Sequence, residues 1–309
     1  MALDMTGATV VTTKVSDKIR TKIVAGSKTA ALLISSGNVQ YGVKGRAAVL
    51  KMDSDVVIQA GTCGRNVSGD TRLANVFIDV VSLKDMQSMC PKALNNTYFE
   101  KLAKQGTSPE NGFDAQFVSD VGEYRGAKIQ NANEMLLWQG DTALPSGNLK
   151  WIDGIIKQQG ATGEITIAPT ATTMVEQLQS FISQVPILFR TQEDTVLFVG
   201  EDTAMNYGIE LVNKNLFKDP DSMTVLGTKL KMEDVPGLNG TNKIYLTRLS
   251  NLQLGLDGQG EDDKFDMFYS KDAAIWYMDF WWTIGIKVIE DTEVYWADIT
   301  QPTFVPPAP

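Results

Sequence analysis

Hydrophobic and polar positions alternate most strictly near the C-terminal end of the chain. Trp276, Met278, Phe280, Trp282, Ile284, Ile286 and Val288 fall on one face, with Asp279, Thr283 and Lys287 beside Tyr277 and Trp281 on the other. A period of two over residues 275–289 predicts a β-strand far longer than the usual length of about five to six residues. A weaker alternation of Val39, Tyr41 and Val43 with Asn38, Gln40 and Gly42 opens a strand-like stretch reaching about Arg65. Asp53-Ser54-Asp55 predicts a polar turn between Ala47–Met52 and Val56–Ala60. The unit is a long hairpin with too few apolar positions to bury a face within itself, so it docks on a neighbour or stays loose. Ahead of it, residues 1–37 are rich in Thr, Ser, Ala and Lys and read as an arm.

Helical spacing takes over further on. Val76–Val81 predicts a short apolar strand, Ser82 a cap for a short helix, and Ala93–Lys104 a helix beyond Pro91. The longest candidate helix is Asp114–Gln139. Phe117, Val121 and Tyr124 share one stripe of it, and Val118, Ile129, Ala132 and Leu136 an adjacent one. Gly122 and Gly126 lower its intrinsic propensity, so packing must hold it. Thr173-Met174-Val175-Glu176 is a capping box, with Val175, Leu178, Ile182 and Val185 following at helical spacing up to Pro186. A buried strand at Thr195–Val199, a helix at Asp202–Asn215, and short strands around Lys229–Met232, Lys243–Thr247 and Leu252–Leu256 come next. That alternation suggests an inserted α+β unit of about 110 residues. Gln301–Pro309 is a Pro-rich tail.

Composition narrows the function. None of the 309 residues is histidine, which excludes a Ser-His-Asp triad, a Cys-His dyad and any His metal site. Cys63 and Cys90 cannot form a structural zinc site alone and read as reduced thiols. The net charge of −9 is unevenly spread. Residues 1–52 hold eight Lys and Arg against two Asp, giving +6; the other 20 basic and 35 acidic residues give −15. Such a basic start fits the acidic body of another copy, or nucleic acid. Met1–Val10 shows no signal-peptide pattern, and no apolar run nears the roughly 18 residues of a membrane span. A soluble protein made in a cytoplasm, with no membrane partner, is the expectation.

Candidate chemistry is sparse. Ala25-Gly26-Ser27-Lys28-Thr29 ends like a phosphate loop, but Ser27 replaces the required Gly and Lys22 the first one. Asp257-Gly258-Gln259-Gly260-Glu261-Asp262-Asp263 lacks a Gly at its sixth position, and Phe268 stands where a calcium loop needs Glu. It reads as an acidic surface loop. Glu201-Asp202 and Glu290-Asp291 are sequence neighbours that nothing aims at one substrate. Trp276, Trp281, Trp282 and Trp296 fit a long buried sheet better than a ligand platform.

The order of these parts resembles the major capsid proteins of tailed double-stranded DNA bacteriophages, with the Hong Kong 97-type shell fold. The long helix ends in Trp138-Gln139-Gly140-Asp141, and Leu149 to Gly154 follows. In that family a spine helix is followed by a Gly-Asp turn and an apolar-Asp-Gly segment entering the axial domain. Met174–Val185, Val196–Val199 and Thr203–Asn215 match the family order. Gly227-Thr228-Lys229-Leu230 resembles its returning strand, with Pro236-Gly237 after it, and 275–289 resembles the strand closing the peripheral domain. The likeness covers nearly the whole chain through the order of elements. It is closest to capsid proteins of phages infecting gut Bacteroidota, where Trp-Gln-Gly-Asp and Asp-Gly occur in this arrangement.

The resemblance implies an α+β shell subunit in six parts. These are an N-terminal arm at 1–37, an extended hairpin loop at 38–70 and a peripheral domain at 71–154, with its spine helix near 114–139. An axial domain at 155–262, closing peripheral strands at 263–300 and a tail at 301–309 follow. It implies a structural protein of the virion, made in the host bacterial cytoplasm and assembling into hexamers and pentamers around double-stranded DNA. No catalysis, cofactor or metal is implied. Many relatives carry a long N-terminal scaffolding segment; here about 37 residues precede the hairpin, implying a separate scaffolding protein or none. Portal and decoration proteins are further implied partners. The expected intersubunit contacts are Lys14, Lys18, Arg20 and Lys22 in the arm, and Tyr41, Lys51, Met52, Asp53, Asp55 and Val57 in the hairpin. Lys51, expected near the hairpin tip, is by position a candidate for crosslinking, with no partner identifiable in the sequence. An encapsulin-like nanocompartment, and a carbohydrate-binding or hydrolytic α+β protein using carboxylates and Trp, are the alternatives.

Overall fold

The computed structural model describes residues 27–61, 63, 67–89, 115–216, 224–257, 265–270, 272–273 and 275–301. The arm cations Lys14, Lys18, Arg20 and Lys22, Cys90, the Ala93–Lys104 helix and most of the acidic 257–263 loop lie outside them. In chain order the elements are helix α1 (Lys28–Ser35) and strands β1 (Val39–Tyr41), β2 (Arg46–Ser54), β3 (Thr71–Asp79) and β4 (Val81–Met89). Helices α2 (Ala115–Gln139), α3 (Ile155–Gln158), α4 (Met174–Gln184) and α5 (Ile187–Arg190) follow. Then come β5 (Thr195–Val199), α6 (Glu201–Asn213), β6 (Lys231–Asp234), β7 (Lys243–Arg248), β8 (Leu252–Leu256), β9 (Phe265–Ser270), β10 (Ile275–Val288) and β11 (Tyr295–Asp298).

Strand β10 organises the first core. Its period-two face, Trp276 to Val288, is buried at every expected position. The strand is long enough to serve three partners. Antiparallel β4 pairs along Trp276–Ile284, β9 along Ile275–Phe280 and β8 along Gly285–Val288. Strand β1 adds in parallel to β8. Helix α2 lies against this sheet through Ile129, Leu136 and Leu137. Gly122 and Gly126, which weaken the helix in isolation, fall on its buried stripe with Ile129 and Asn133. Trp282 Nε1 donates to Asn133 Oδ1 at 3.0 Å, and Arg125 makes a two-pronged pair with Asp85 of β4 at 2.7 and 2.9 Å.

The second core has its own sheet, in the order β11-β7-β5-β6. All five residues of β5 are buried, so both of its faces are covered. Val196 and Phe198 enter the first core, whereas Leu197 and Val199 enter the second beneath α4 and α6. One sheet is therefore the shared wall of two cores. The capping box predicted at Thr173 and Glu176 is formed at the start of α4.

The segment joining α2 to this wall is fixed by two facing glycines. Gly154 N donates to Gly140 O at 2.9 Å. A Cβ on Gly140 would lie 2.4 Å from Ile152 O, and one on Gly154 2.5 Å from Trp138 O. Asp153 Oδ1 accepts from Thr142 N at 2.9 Å and from Thr142 Oγ1 at 2.8 Å. The Gly-Asp and Asp-Gly pairs therefore close one compact loop, where no side chain larger than hydrogen fits at either glycine.

Several expectations change. Lys28–Ser35, read as arm, is a helix whose Ala30 and Leu33 are fully buried. Asp53 and Ser54 are strand, not turn, because β2 pairs with β3 from Arg46↔Asp79 to Ser54↔Thr71. The hairpin thus runs to Asp79, beyond 38–70, and Val39–Tyr41 belongs to the β10 sheet instead. Ser82 lies inside strand β4 and caps no helix. Tyr124 is 69% exposed, on the outer side of α2. Leu252–Leu256 pairs with β10 although expected in the axial unit, and Tyr295–Asp298, expected among the closing strands, edges the β5 sheet.

Candidate assembly surfaces

The β2–β3 hairpin has two unlike faces. Ala47, Val49 and Ile78 face inward and pack with Val43 and Val80. Gly255 and Gly285 make room for this base: a Cβ on Gly285 would lie 2.2 Å from Asp79 O, and one on Gly255 2.7 Å from Val80 Cγ2. The outer face brings together Phe77, Leu50, Met52 and Leu73, with Met52 directly opposite Leu73. Leu50, Met52 and Leu73 are 64–69% exposed, and Val56, Ile58 and Val67 beyond the ladder more than 80%. A two-stranded ribbon with its apolar face in water is marginal by itself and an invitation to pairing.

The expected contact residues are distributed unevenly over this unit. Met52 and Val57 are exposed; Asp53 lies across from Arg72, and Asp55 N donates to Asp70 O at 2.9 Å. Tyr41 is exposed, but on β1 rather than on the hairpin. Lys51 is not near the tip. It stands opposite Ala74, three pairs inside the Ser54–Thr71 end, and its ammonium is held in an ion pair with Glu290. Sequence reasoning missed Leu50, Leu73 and Phe77, because only the cross-strand register places them on one face. The neighbouring carboxylates are likewise engaged in the fold: Glu290 holds Lys51, Glu201 accepts from Asn239 Nδ2, and Asp202 accepts from Thr203 N.

A buried polar node ties α1 and α2 to the shared β5 sheet, on its first-core side. Trp138, fully buried, packs against Phe198 and Tyr245 with ring centroids 5.3 and 5.5 Å away. Its Nε1 donates to Thr29 Oγ1 at 2.8 Å. Glu134 accepts from Thr29 N at 3.0 Å and from Thr29 Oγ1. A carboxylate from α2 thus caps the first turn of α1, which has no side-chain cap of its own. Lys28 next to it pairs with Asp234. Burial pushes the Glu134 carboxyl above its ordinary value, outweighing the Thr29 hydrogen bonds and the Lys28 charge.

A groove of about 650 Å³ opens between α2 and the β4–β10 ladder, lined in part by Arg125, Asp85, Trp151 and Trp281. Trp276, Trp282 and Trp296 are buried core residues. Among the described residues no group of three His, Cys, Asp or Glu side chains could hold a metal ion, and no helix is long and apolar enough to cross a membrane.

No protein-family model and no curated protein matches the chain. Solved structures do. A chain of the satellite phage P4 procapsid superposes with a TM-score of 0.59 and 11% identity, over 91% of this chain and 90% of that one. The capsid of Myoviridae phage XM1 gives 0.55 and 11%, over 87% and 92%. The chain has the Hong Kong 97-type shell fold. The encapsulin SrpI of Synechococcus elongatus is similar too, with a TM-score of 0.50 and 9% identity over 86% of this chain and 88% of that one.

Within this shell fold, the Glu134 node gives a pH-dependent prediction. A raised native pKa means that the folded chain binds the Glu134 proton more tightly than the unfolded chain does. Its contribution to stability is therefore present at low pH and is lost as pH rises from the ordinary Glu range through the raised value. Glu134→Gln keeps an acceptor for Thr29 N and removes the buried charge. The stability difference between wild type and variant, from urea midpoints at pH 4 to 8, shifts in favour of the variant as pH rises. A difference that stays constant with pH would show that Glu134 titrates as in the unfolded chain.

Proposed function

We propose that the chain is the structural subunit of a closed protein shell, a major capsid protein whose copies form hexamers and pentamers around double-stranded DNA. The observation that carries this reading is the shell fold over about nine-tenths of the chain, in a subunit whose apolar hairpin face is left uncovered by the described residues. The work of such a subunit is mechanical. The β10 sheet and α2 supply a stiff plate, and the node at Trp138 sets the second core against it. The hairpin lends its outer face to the next copy. The basic arm, with Lys14, Lys18, Arg20 and Lys22, lies along the acidic surface of a neighbour, where several weak pairs act together. Scaffolding, portal and decoration proteins would be the partners of such a head, and the host cytoplasm its place of synthesis. The affinity to phages of Bacteroidota rests on the Trp138–Asp141 and Asp153-Gly154 segments alone.

A second reading is an encapsulin-like compartment, favoured by the similarity to SrpI. Electron microscopy of the purified, concentrated protein, followed by nuclease treatment of particles from producing cells, tests both. Shells with nuclease-protected DNA are the expected result. Shells with protein cargo and no DNA would favour the compartment, and a concentration-independent monomer would reject both.

A further inference from the structure

The second core carries two exposed apolar patches apart from the hairpin. On α6, Met205, Ile209 and Val212 are 69%, 53% and 75% exposed. They follow i, i+4, i+7 spacing on the side away from Thr203, Tyr207 and Leu211, which are buried. Gly208 is exposed beside this stripe, with nothing within 4 Å of where a Cβ would stand. A mid-helix glycine weakens the helix, and here its missing side chain serves no contact inside the described chain. It leaves room for a surface arriving from outside.

The second patch is a groove at the start of β5 and β6. It measures about 750 Å³ and is lined in part by Ile187, Arg190, Glu193, Thr195, Lys229 and Lys231. Ile187 is 59% exposed, and Leu188 next to it 80%. The groove holds three cations and one acid, on a body whose charge is otherwise acidic. Arg190 Nε is buried there without a hydrogen-bond partner. The α6 stripe has the opposite sign at its start, where Glu201 and Asp202 form the first turn.

We propose that these patches are the two halves of one contact between copies: the α6 stripe of one subunit seats in the Ile187–Lys231 groove of the next. The occupant rests on the shell reading above, and charge complementarity supports it independently. The geometry also sets the symmetry. Strand β5 starts at the groove with Thr195 and hands over to α6 two residues past Val199. No α6 residue lines the groove, so the two patches are different surfaces. Different patches meeting head to tail build rings, whereas one patch meeting itself builds a two-fold dimer.

Ile209→Asp and Ile187→Asp test this, since both side chains are exposed and neither substitution should change melting. Each variant alone loses all particles. Mixed in equal amounts, they still offer one intact stripe and one intact groove, so sedimentation shows a species of twice the subunit mass and nothing larger. Normal particles from either variant, while wild type also assembles, would overturn this inference and leave the shell reading standing. Loss with Ile209→Asp only would mean that α6 packs on itself or on another protein. A mixture that stays monomeric would also overturn the pairing. A wild type that is monomeric at every concentration would overturn both readings together.

Discussion

Trp138→Ala lowers the stability of the subunit by about 3–5 kcal/mol, the cost of emptying a large aromatic site in a closed core. The ring is fully buried, touches Phe198 and Tyr245 of the shared sheet, and holds Thr29 of α1 through its indole nitrogen. The site cannot readily collapse onto a smaller residue, because the shared sheet and α1 frame it. On the far side, Gly237 comes so close that a Cβ there would sit 2.3 Å from Trp138 Cδ1 and 2.6 Å from Glu134 O. Trp138→Phe separates packing from hydrogen bonding. It keeps most of the volume and loses one of the two hydrogen bonds of Thr29 Oγ1, which still donates to Glu134, so about 0.5–1.5 kcal/mol is expected. Urea midpoints of the two variants make the comparison. Wild-type stability in Trp138→Ala would mean that this ring is not packed in the first core.

Replacing residues 55–70 by an Asn-Gly turn abolishes shell formation and leaves subunit melting unchanged. The Ser54–Thr71 pair closes the ladder, and Asn-Gly is the common two-residue connection for such a pair. The described inward contacts of the hairpin come from its base: Ala47, Val49 and Ile78 in the small core, and Lys51 to Glu290. Removing Val56, Val57, Ile58 and Val67 therefore takes away apolar surface that faces water in the isolated subunit. In the proposed assembly that surface would be the reach of one copy over the next. Calorimetry and electron microscopy on the same preparation read the two effects separately. Normal shells from the shortened chain would assign docking to the ladder face alone.

Helix α1 shows where local reading stops. Eight residues make a helix that is marginal in water, and Lys28–Ser35 has no side-chain cap. Its cap comes from Glu134, 105 positions away in sequence. The hairpin shows the same limit in a strand. Asp53-Ser54-Asp55 has the composition of a turn, yet Asp53 and Ser54 stay in the ladder because Arg72 and Thr71 meet them from the other strand. Ser82 was misplaced for a related reason: nine residues of β4 are held as strand by β10, whatever their local signals.

The sequence by itself determined the elements whose signals are short in range. The strict alternation of 275–289 requires one buried face, the Thr173–Glu176 box caps its own helix, and the apolar run at Thr195–Val199 suits a strand covered on both sides. It also determined the absence of histidine chemistry. Tertiary structure decided which partners those elements meet: β1 beside β8, β11 on the edge of the β5 sheet, Glu134 at the start of α1, and Leu50, Met52, Leu73 and Phe77 on one outward face. The physical reason is that periodicity records whether a side chain is buried, whereas register and capping depend on residues that only the folded backbone brings within hydrogen-bond distance.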